Sequence, residues 1–372
     1  MMRKIKLGEV LDVKRGTSLS GKFYKAEGDY IRLTLGNFNY PSSGWKENKS
    51  KDNLYYDGPI TSEYIMSKGD IITPLTEQVR GLLGNTATVP EDNLYIQSGD
   101  IGKVIPRSDV LSGRFAYYLL SSRIVKKQLD ACAQQTKIRH TSPDKIKDCV
   151  AFIPDEISKQ IKIASILDAI NSKIKLNNRI NDNLQQLATT FYDFWFAAKN
   201  PNDKLSSILL ENQKSSVQAN QVNDISGDFP FFTSGDAIKE SNTYIVDGLN
   251  CYMSTGGIAT IKTYFGKASY STDTWCIYGK PGYTAFLYFF LKSIISCINE
   301  SYFAGSGLKH LQKEALLKIK LYIPSTEEIS KFNNIIEPLL KKSSWLMQEN
   351  QKLIKIRDFL LPLLMNGQAT VD

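Results

Sequence analysis

Thr136-Lys-Ile-Arg-His140, leading to Lys147-Asp-Cys-Val-Ala-Phe-Ile-Pro154, is matched by Ser306-Gly-Leu-Lys-His310, leading to Leu317-Lys-Ile-Lys-Leu-Tyr-Ile-Pro324. The two histidines lie 170 residues apart, as do the two closing prolines, and the chain has only these 2 histidines. Working outward, Glu156-Ile-Ser-Lys159 recurs as Glu328-Ile-Ser-Lys331 at an offset of 172. Upstream, Lys6-Leu7 parallels Lys204-Leu205, and Gly28-Asp29-Tyr30 parallels Gly227-Asp228-Phe229. The aromatic runs Phe115-Ala-Tyr-Tyr-Leu-Leu120 and Ala285-Phe-Leu-Tyr-Phe-Phe290 again sit 170 apart. Such an ordered set of markers reads as an internal duplication, two copies of one plan.

Each copy has two textures. Residues 1–154 and 201–324 are rich in Gly, Thr, Ser, Asn, Tyr and Phe, with short runs such as Asp29–Thr34, Asp70–Thr73 and Ala259–Tyr264. Glycine-punctuated runs of this kind predict short strands in two mainly-β domains, with a helix around 111–129 and another around 283–299. Residues 155–200 and 325–366 change to helical spacing. Ile163, Ile166, Leu167, Ile170, Ile174, Ile180, Leu184, Leu187, Phe191 and Phe194 form one stripe. Ile335, Ile336, Leu339, Leu340, Leu346, Met347, Leu353, Ile354, Phe359 and Leu360 form the other. Each helix opens on Pro followed by carboxylates, Pro154-Asp155-Glu156 and Pro324-Ser-Thr-Glu-Glu328, which suits the exposed amides of a first turn. Some 40 helical residues span roughly 60 Å, more than a small β domain covers. The expected fold is therefore α+β: two similar mainly-β domains separated by two long helices packed as an antiparallel coiled coil, giving a dumbbell. Packing is expected from Ile163, Leu167, Ile170, Ile174 and Leu184 against Leu339, Leu346, Leu353 and Leu360. Asn178 and Asn350 share the 172 offset and fit either a polar seam position that fixes register or two surface positions.

At 372 residues with 42% hydrophobic and 23% charged residues, the composition is that of a globular chain. The longest clean apolar run, Ala285–Leu291, is too short for a membrane span, and the first residues lack the apolar stretch of a signal peptide. Five cysteines without a C-x-x-C argue against a disulfide framework or a cysteine zinc site, so a soluble cytoplasmic protein is expected. No phosphate loop, dinucleotide fingerprint, nucleophile elbow or H-E-x-x-H is present. Asp144 and Asp155 read as turn or first-turn helix residues, and His140 and His310 as packing residues. No catalytic or metal-binding residue is assigned. The pattern is that of a binder.

The charge is uneven. Of the net +8, residues 1–154 carry 23 basic against 17 acidic side chains, whereas 201–324 carry 11 against 10, all of the bases lysine. Arg and Lys pair with phosphate or guanine and Asn or Gln with adenine, which makes the polar loops candidates for DNA contact. In the first domain these are Lys14, Arg15, Thr17, Ser18, Arg32, Asn37, Gln78, Arg80, Gln134, Gln135, Lys137 and Arg139. In the second they are Lys214, Thr233, Ser234, Ser254, Thr255, Lys262, Ser306 and Lys309. One architecture with two loop chemistries suits an asymmetric, two-part target.

The chain resembles the specificity subunits of type I restriction-modification systems. The resemblance rests on Lys6-Leu-Gly-Glu-Val10, Gly69-Asp-Ile-Ile72, the His140…Ile153-Pro154 ending, Gln160-Ile-Lys-Ile-Ala-Ser-Ile-Leu167 and Asn177-Asn-Arg-Ile180 with Leu184. It implies two target recognition domains (1–154 and 201–324), each reading half of a split double-stranded DNA sequence. It also implies a central helical spacer (155–200) and a C-terminal one (325–372), which act as a ruler and dock two modification (methyltransferase) subunits. Restriction subunits, with nuclease and translocase activity, would join the complex. S-adenosylmethionine, ATP and Mg would belong to those partners, and the chain itself would hold no cofactor and catalyse nothing. A departure from the family pattern is the shorter, barely basic second domain. A helical-pair interaction scaffold and a self-contained DNA-acting enzyme remain the competing readings. Inserting one helical turn of four residues after Leu176, roughly 6 Å of rise, is expected to lengthen the preferred unread spacer by one or two base pairs or to abolish binding. Binding to oligonucleotides of graded spacer length measures it, and an unchanged spacer removes the ruler.

Overall fold

The computed structural model describes residues 2–40, 42–133, 138–222, 227–305, 307, 309–369 and 371. It divides into two units, Met1–Asn171 with Ile356–Asp372, and Ser172–Lys355. The expected contact residues Gln134, Gln135, Lys137 and Ser306 lie outside the described residues.

In the first unit, strand Met2–Lys6 pairs antiparallel with Val150–Pro154, tying the start of the domain to the segment that precedes the helix. A four-stranded antiparallel sheet follows, in the order 11–15, 101–106, 71–74, 87–88. A second sheet contains 24–25, 55–56, 30–32 and 95–96, the last pair parallel. The second unit repeats this logic. Strand 203–204 pairs with 320–321, the four-stranded sheet runs 209–211, 274–279, 249–254, 261–265, and strands 229–232 and 269–270 supply the parallel pair. The fold is α+β and duplicated at the level of strand order.

The helices expected over 111–129 and 283–299 are each broken in two, Gly113–Leu120 with Arg123–Cys132 and Thr284–Ser293 with Ile295–Ser301. At the first break Ser121 ends the leading helix, its hydroxyl turning back onto the carbonyls of Tyr117 and Tyr118. Periodicity alone does not register such a side-chain competitor for backbone groups.

The long helices run Ile157–Tyr192 and Thr326–Met365. The second is opened by a reciprocal cap: the Glu328 amide donates to Ser325 Oγ at 3.3 Å, and the Ser325 amide donates to Glu328 Oε2 at 2.9 Å. In the first unit Ile163, Ala164 and Leu167 join a core with Leu7, Phe115 and Leu119, to which Leu360, Leu361, Leu364 and Met365 are added. In the second unit Ala188, Tyr192 and Phe196 pack with Phe286, Phe289, Ile329, Phe332, Ile336 and Leu340.

Between these apolar ends the facing side is more polar than the stripes suggest. Asn177, 0% exposed, donates to Glu349 at 2.6 Å and to Asn350 at 2.9 Å. Asn350 in turn donates to Asn178 at 2.7 Å, and Ser343 bonds to Asn181. Rising numbers on one helix meet falling numbers on the other, so the pairing within this unit is antiparallel. The buried seam asparagine is Asn177 rather than Asn178, which is exposed. Ile170, Ile174, Leu184, Leu339, Leu353 and Leu360 are partly buried, whereas Leu346 is buried. Four stripe residues face outward: Leu187, Phe194, Ile335 and Phe359. For Phe194 the cause is a π-helical turn at Asp193–Ala197, which rotates the face and places Phe196 in the core, 5.1 Å from Phe332 and 5.2 Å from Phe286.

Replacing the fully buried Leu167 by Ala is expected to destabilise the first unit by about 2–5 kcal/mol. Amide hydrogen exchange should show lost protection in strand 101–106, with strand 274–279 unaffected.

Candidate nucleic-acid interface

Part of the candidate set leaves from one end of each four-stranded sheet, where three strands terminate together. In the first unit Arg15 ends one strand opposite Gly102, Ile101 begins the central strand, and Pro74 ends the next opposite Ile101. Lys14–Ser18 and the loop after Pro74 therefore leave from the same edge. Gln97 fixes the first of them: buried, it donates to the Lys14 carbonyl at 2.8 Å and the Ile101 carbonyl at 2.9 Å. Gly16 passes so close that an added Cβ would lie 2.3 Å from the Ser98 carbonyl oxygen. The result is a tight segment with Lys14, Arg15 and Ser18 exposed and Thr17 half-buried beside Ser98.

The second segment is organised by Glu77. Its buried carboxylate accepts the amides of Gly81, Leu82 and Leu83 on Oε2 at 2.9, 2.9 and 3.0 Å, and the Arg139 guanidinium on Oε1 at 2.8 Å. Arg139 bonds Asp130 at 2.5 Å as well, and Arg80 grips the same carboxylate through Nε at 3.1 Å and Nη2 at 2.7 Å. Strand 139–140, which carries His140, pairs with Thr76 and Glu77. Arg139 is thus spent inside the domain, in contrast to its expected place at the DNA surface. A buried carboxylate needs a charged partner, and that demand outweighs an exposed role. Arg80 stays exposed at the edge of the network, and Gln78 is exposed with no hydrogen-bond partner among the described residues.

Two other expected contact residues are also used inside the domain, by backbone and ring partners. Arg32 is buried, donating to the Asn53 carbonyl at 3.0 Å with its guanidinium 3.6 Å from the Tyr24 ring centroid. Asn37 is buried and caps a short helical turn, accepting the Thr34 amide at 2.9 Å.

In the second unit Ser254 and Thr274 are register partners, and Asn212 continues its strand opposite Cys276, so Lys214 and the 255–260 loop share one edge. Ser254 is buried: its hydroxyl donates to the Ile258 carbonyl at 2.8 Å and accepts the Thr260 amide at 2.8 Å. Thr255 donates to the Asp273 carbonyl at 2.8 Å, and the Gly257 amide donates to the Lys309 carbonyl at 2.9 Å. Thr233 is buried and bonded to the Ala237 carbonyl at 2.7 Å; Lys262 bonds the Thr233 and Gly235 carbonyls, and burial lowers its pKa. Lys214 and Lys309 are exposed, and Ser234 is half-buried. Ser254, Thr233 and Lys262 therefore hold the loops together, while Lys214, Lys309 and the rim of Thr255 face outward.

The organising residues Glu77, Gln97 and Asp130 were missed by sequence reasoning. Gln97 closes the otherwise apolar run Leu94-Tyr-Ile-Gln97, a readable signal. Nothing local marks Glu77 or Asp130 as a partner for arginine: Glu77 meets Arg139 across 62 residues and Asp130 meets Arg80 across 50. Among the described residues no group of three or more His, Cys, Asp or Glu could hold a metal, and no helix is long and apolar enough to cross a membrane.

Arg80 and Arg139 donate to Asp130 and hold its carboxyl well below the usual carboxylate range. The unfolded chain therefore binds this proton more readily than the folded one, so the stabilisation is present above about pH 4 and lost as pH falls further. Wild-type thermal stability should decline more steeply from pH 4 to pH 2 than that of Asp130→Asn, which starts lower at neutral pH; parallel profiles would remove Asp130 from the network's energetics.

Comparison with known proteins adds an independent observation. A family model described as the type I restriction modification DNA specificity domain matches residues 2–186 and again 204–355. The chain is 27% identical over 168 residues to the type I restriction enzyme EcoDI specificity subunit of Escherichia coli, covering 44% of this chain and 37% of that one. It is 22% identical over 414 residues to the HindI specificity subunit of Haemophilus influenzae, covering 84% and 89%. In fold it is similar to the crystal structure of a type I restriction-modification S subunit from M. genitalium, with a TM-score of 0.64 and 16% identity over 98% of this chain and 96% of the other.

Proposed function

Because this chain belongs to the type I restriction-modification DNA specificity family, it is a non-catalytic DNA-recognition subunit of such a complex, and we propose that its two β-rich domains each read one half of a split, asymmetric target. The observation that carries this reading is the repetition of one sheet edge with two different chemistries. The first edge offers Lys14, Arg15, Ser18, Gln78 and Arg80; the second offers Lys214, Thr255 and Lys309. The cations neutralise phosphates and set position, so affinity falls steeply with salt. The hydrogen-bonding loop side chains then discriminate bases, at roughly 1–3 kcal/mol for a good bidentate pair.

The recognition domains comprise residues 1–154 and 201–324, and the helical segments 155–200 and 325–372 serve as spacers that dock two copies of a modification subunit. Leu187 and Phe359, 172 residues apart, occupy the same place in the two helices, and both face water at 46% and 67% exposure. Two equivalent apolar positions suit two copies of one partner. Restriction subunits complete the assembly, which acts in the cytoplasm. S-adenosylmethionine, ATP and Mg are held by the partner subunits.

Co-expression with the modification subunit and genome-wide mapping of methylated adenines tests this. The expected result is one split motif with unlike halves and a fixed gap, with Leu187→Ser plus Phe359→Ser losing co-purification of both partner copies. A stable complex that methylates no split motif would overturn the recognition reading.

A further inference from the structure

The loops at the two sheet edges share a feature that their sequences do not. In each, a buried polar side chain fastens the backbone from within, Glu77 in the first unit and Ser254 in the second, and a branched aliphatic residue stands in water at the tip. Val79 is 56% exposed and Ile258 is 73% exposed. In the first loop the amides of Gly81, Leu82 and Leu83 are tied to Glu77, and the Tyr40 hydroxyl donates to the Arg80 carbonyl at 2.8 Å. In the second, the Ile258 carbonyl is held by Ser254 and the Ala259 amide donates to Asn299 Oδ1 at 3.0 Å. Loops fixed in this way do not collapse to cover their tips.

The tripeptides concerned, Gln78-Val-Arg80 and Gly256-Gly-Ile258, have nothing in common except the aliphatic residue. Each loop also lies against the strand that bears its unit's histidine, with Thr76 opposite His140 and Gly256 opposite His310. An aliphatic exposed on the corresponding loop of both copies, flanked by Gln78 and Arg80 in the first and carried on the loop bonded to the Lys309 backbone in the second, calls for a ligand that is mostly polar with one apolar feature. On the edge of duplex DNA that feature is the C5-methyl group of thymine, displayed in the major groove.

We propose that Val79 and Ile258 are specificity-determining residues, one per half-site, each seated against a thymine methyl. This rests on the reading of the chain as a DNA-recognition subunit. The probe is the complex of the full chain with its modification subunit, on duplexes carrying the motif that the wild-type complex methylates. Thymines of that motif are replaced one at a time by deoxyuracil, which removes the methyl and keeps the pairing. The expected result is one position in each half where the replacement weakens wild-type binding roughly fourfold, the worth of one buried carbon group. Val79→Ala should abolish that sensitivity in one half only, and Ile258→Ala in the other half only. Both side chains are exposed, so the variants retain the fold, and their unchanged response to the other half-site serves as the control. Equal binding to every deoxyuracil duplex, or full sensitivity retained in both variants, overturns the proposal while leaving the recognition reading intact. A wild-type complex that methylates no split motif takes down both.

Discussion

A helix of 36 or 40 residues with an apolar stripe is not stable as a lone cylinder in water, and this constraint governs the rest of the chain. The ends of the stripes are absorbed by β-rich cores: Ile163 and Leu167 with Leu364 and Met365 in one unit, Tyr192 and Phe196 with Phe332 and Ile336 in the other. The helices are thus extensions of the recognition cores as well as connections from them. Burial of fully enclosed side chains of this kind contributes about 1.5–3 kcal/mol each.

Where the helices meet each other inside the second unit, specificity rather than apolar burial is added. Asn177 sits fully buried among Glu349 and Asn350, and Ser343 serves Asn181. An apolar seam tolerates sliding by a turn; a row of amides and hydroxyls has few equivalent registers. The polar contacts fix which residues are opposite one another at some expense in stability.

The duplication and the long helices were legible because both are written in local periodicity and in ordered repetition. His140 and His310 mark equivalent strands, and the Pro-acid starts stand at the thresholds of both helices. The breaks after Leu120 and Ser293, and the outward turn of Phe194, were not legible, since each depends on one side chain or one π-helical turn. At the candidate interface the sequence reading counted as free cations several side chains that the fold uses internally. Arg32, Arg139 and Lys262 look like free cations in a row of letters. Tyr24, Glu77 and the loop carbonyls that engage them are 8, 62 and up to 29 residues away. Long-range pairing of a buried carboxylate is invisible to any local reading, and it converts expected ligand contacts into scaffolding.

The end of the second long helix and the residues just after it close the core of the first unit. Leu360, Leu361, Leu364 and Met365 pack there with Ala369 and Val371, and Gly367, at φ 69°, passes against Met2. The second unit is one continuous stretch of chain, whereas the first is interrupted by all of it. Order of synthesis and order of completion are therefore opposite. At about 5–20 residues per second on the ribosome, the segment 172–355 takes on the order of ten to forty seconds to emerge. Throughout that interval the earlier-made domain lacks the part of its core that Leu360, Leu361, Leu364 and Met365 supply. The nascent chain spends its longest vulnerable period with its most basic half unfinished, and the final helical turns act as the latch that ends it.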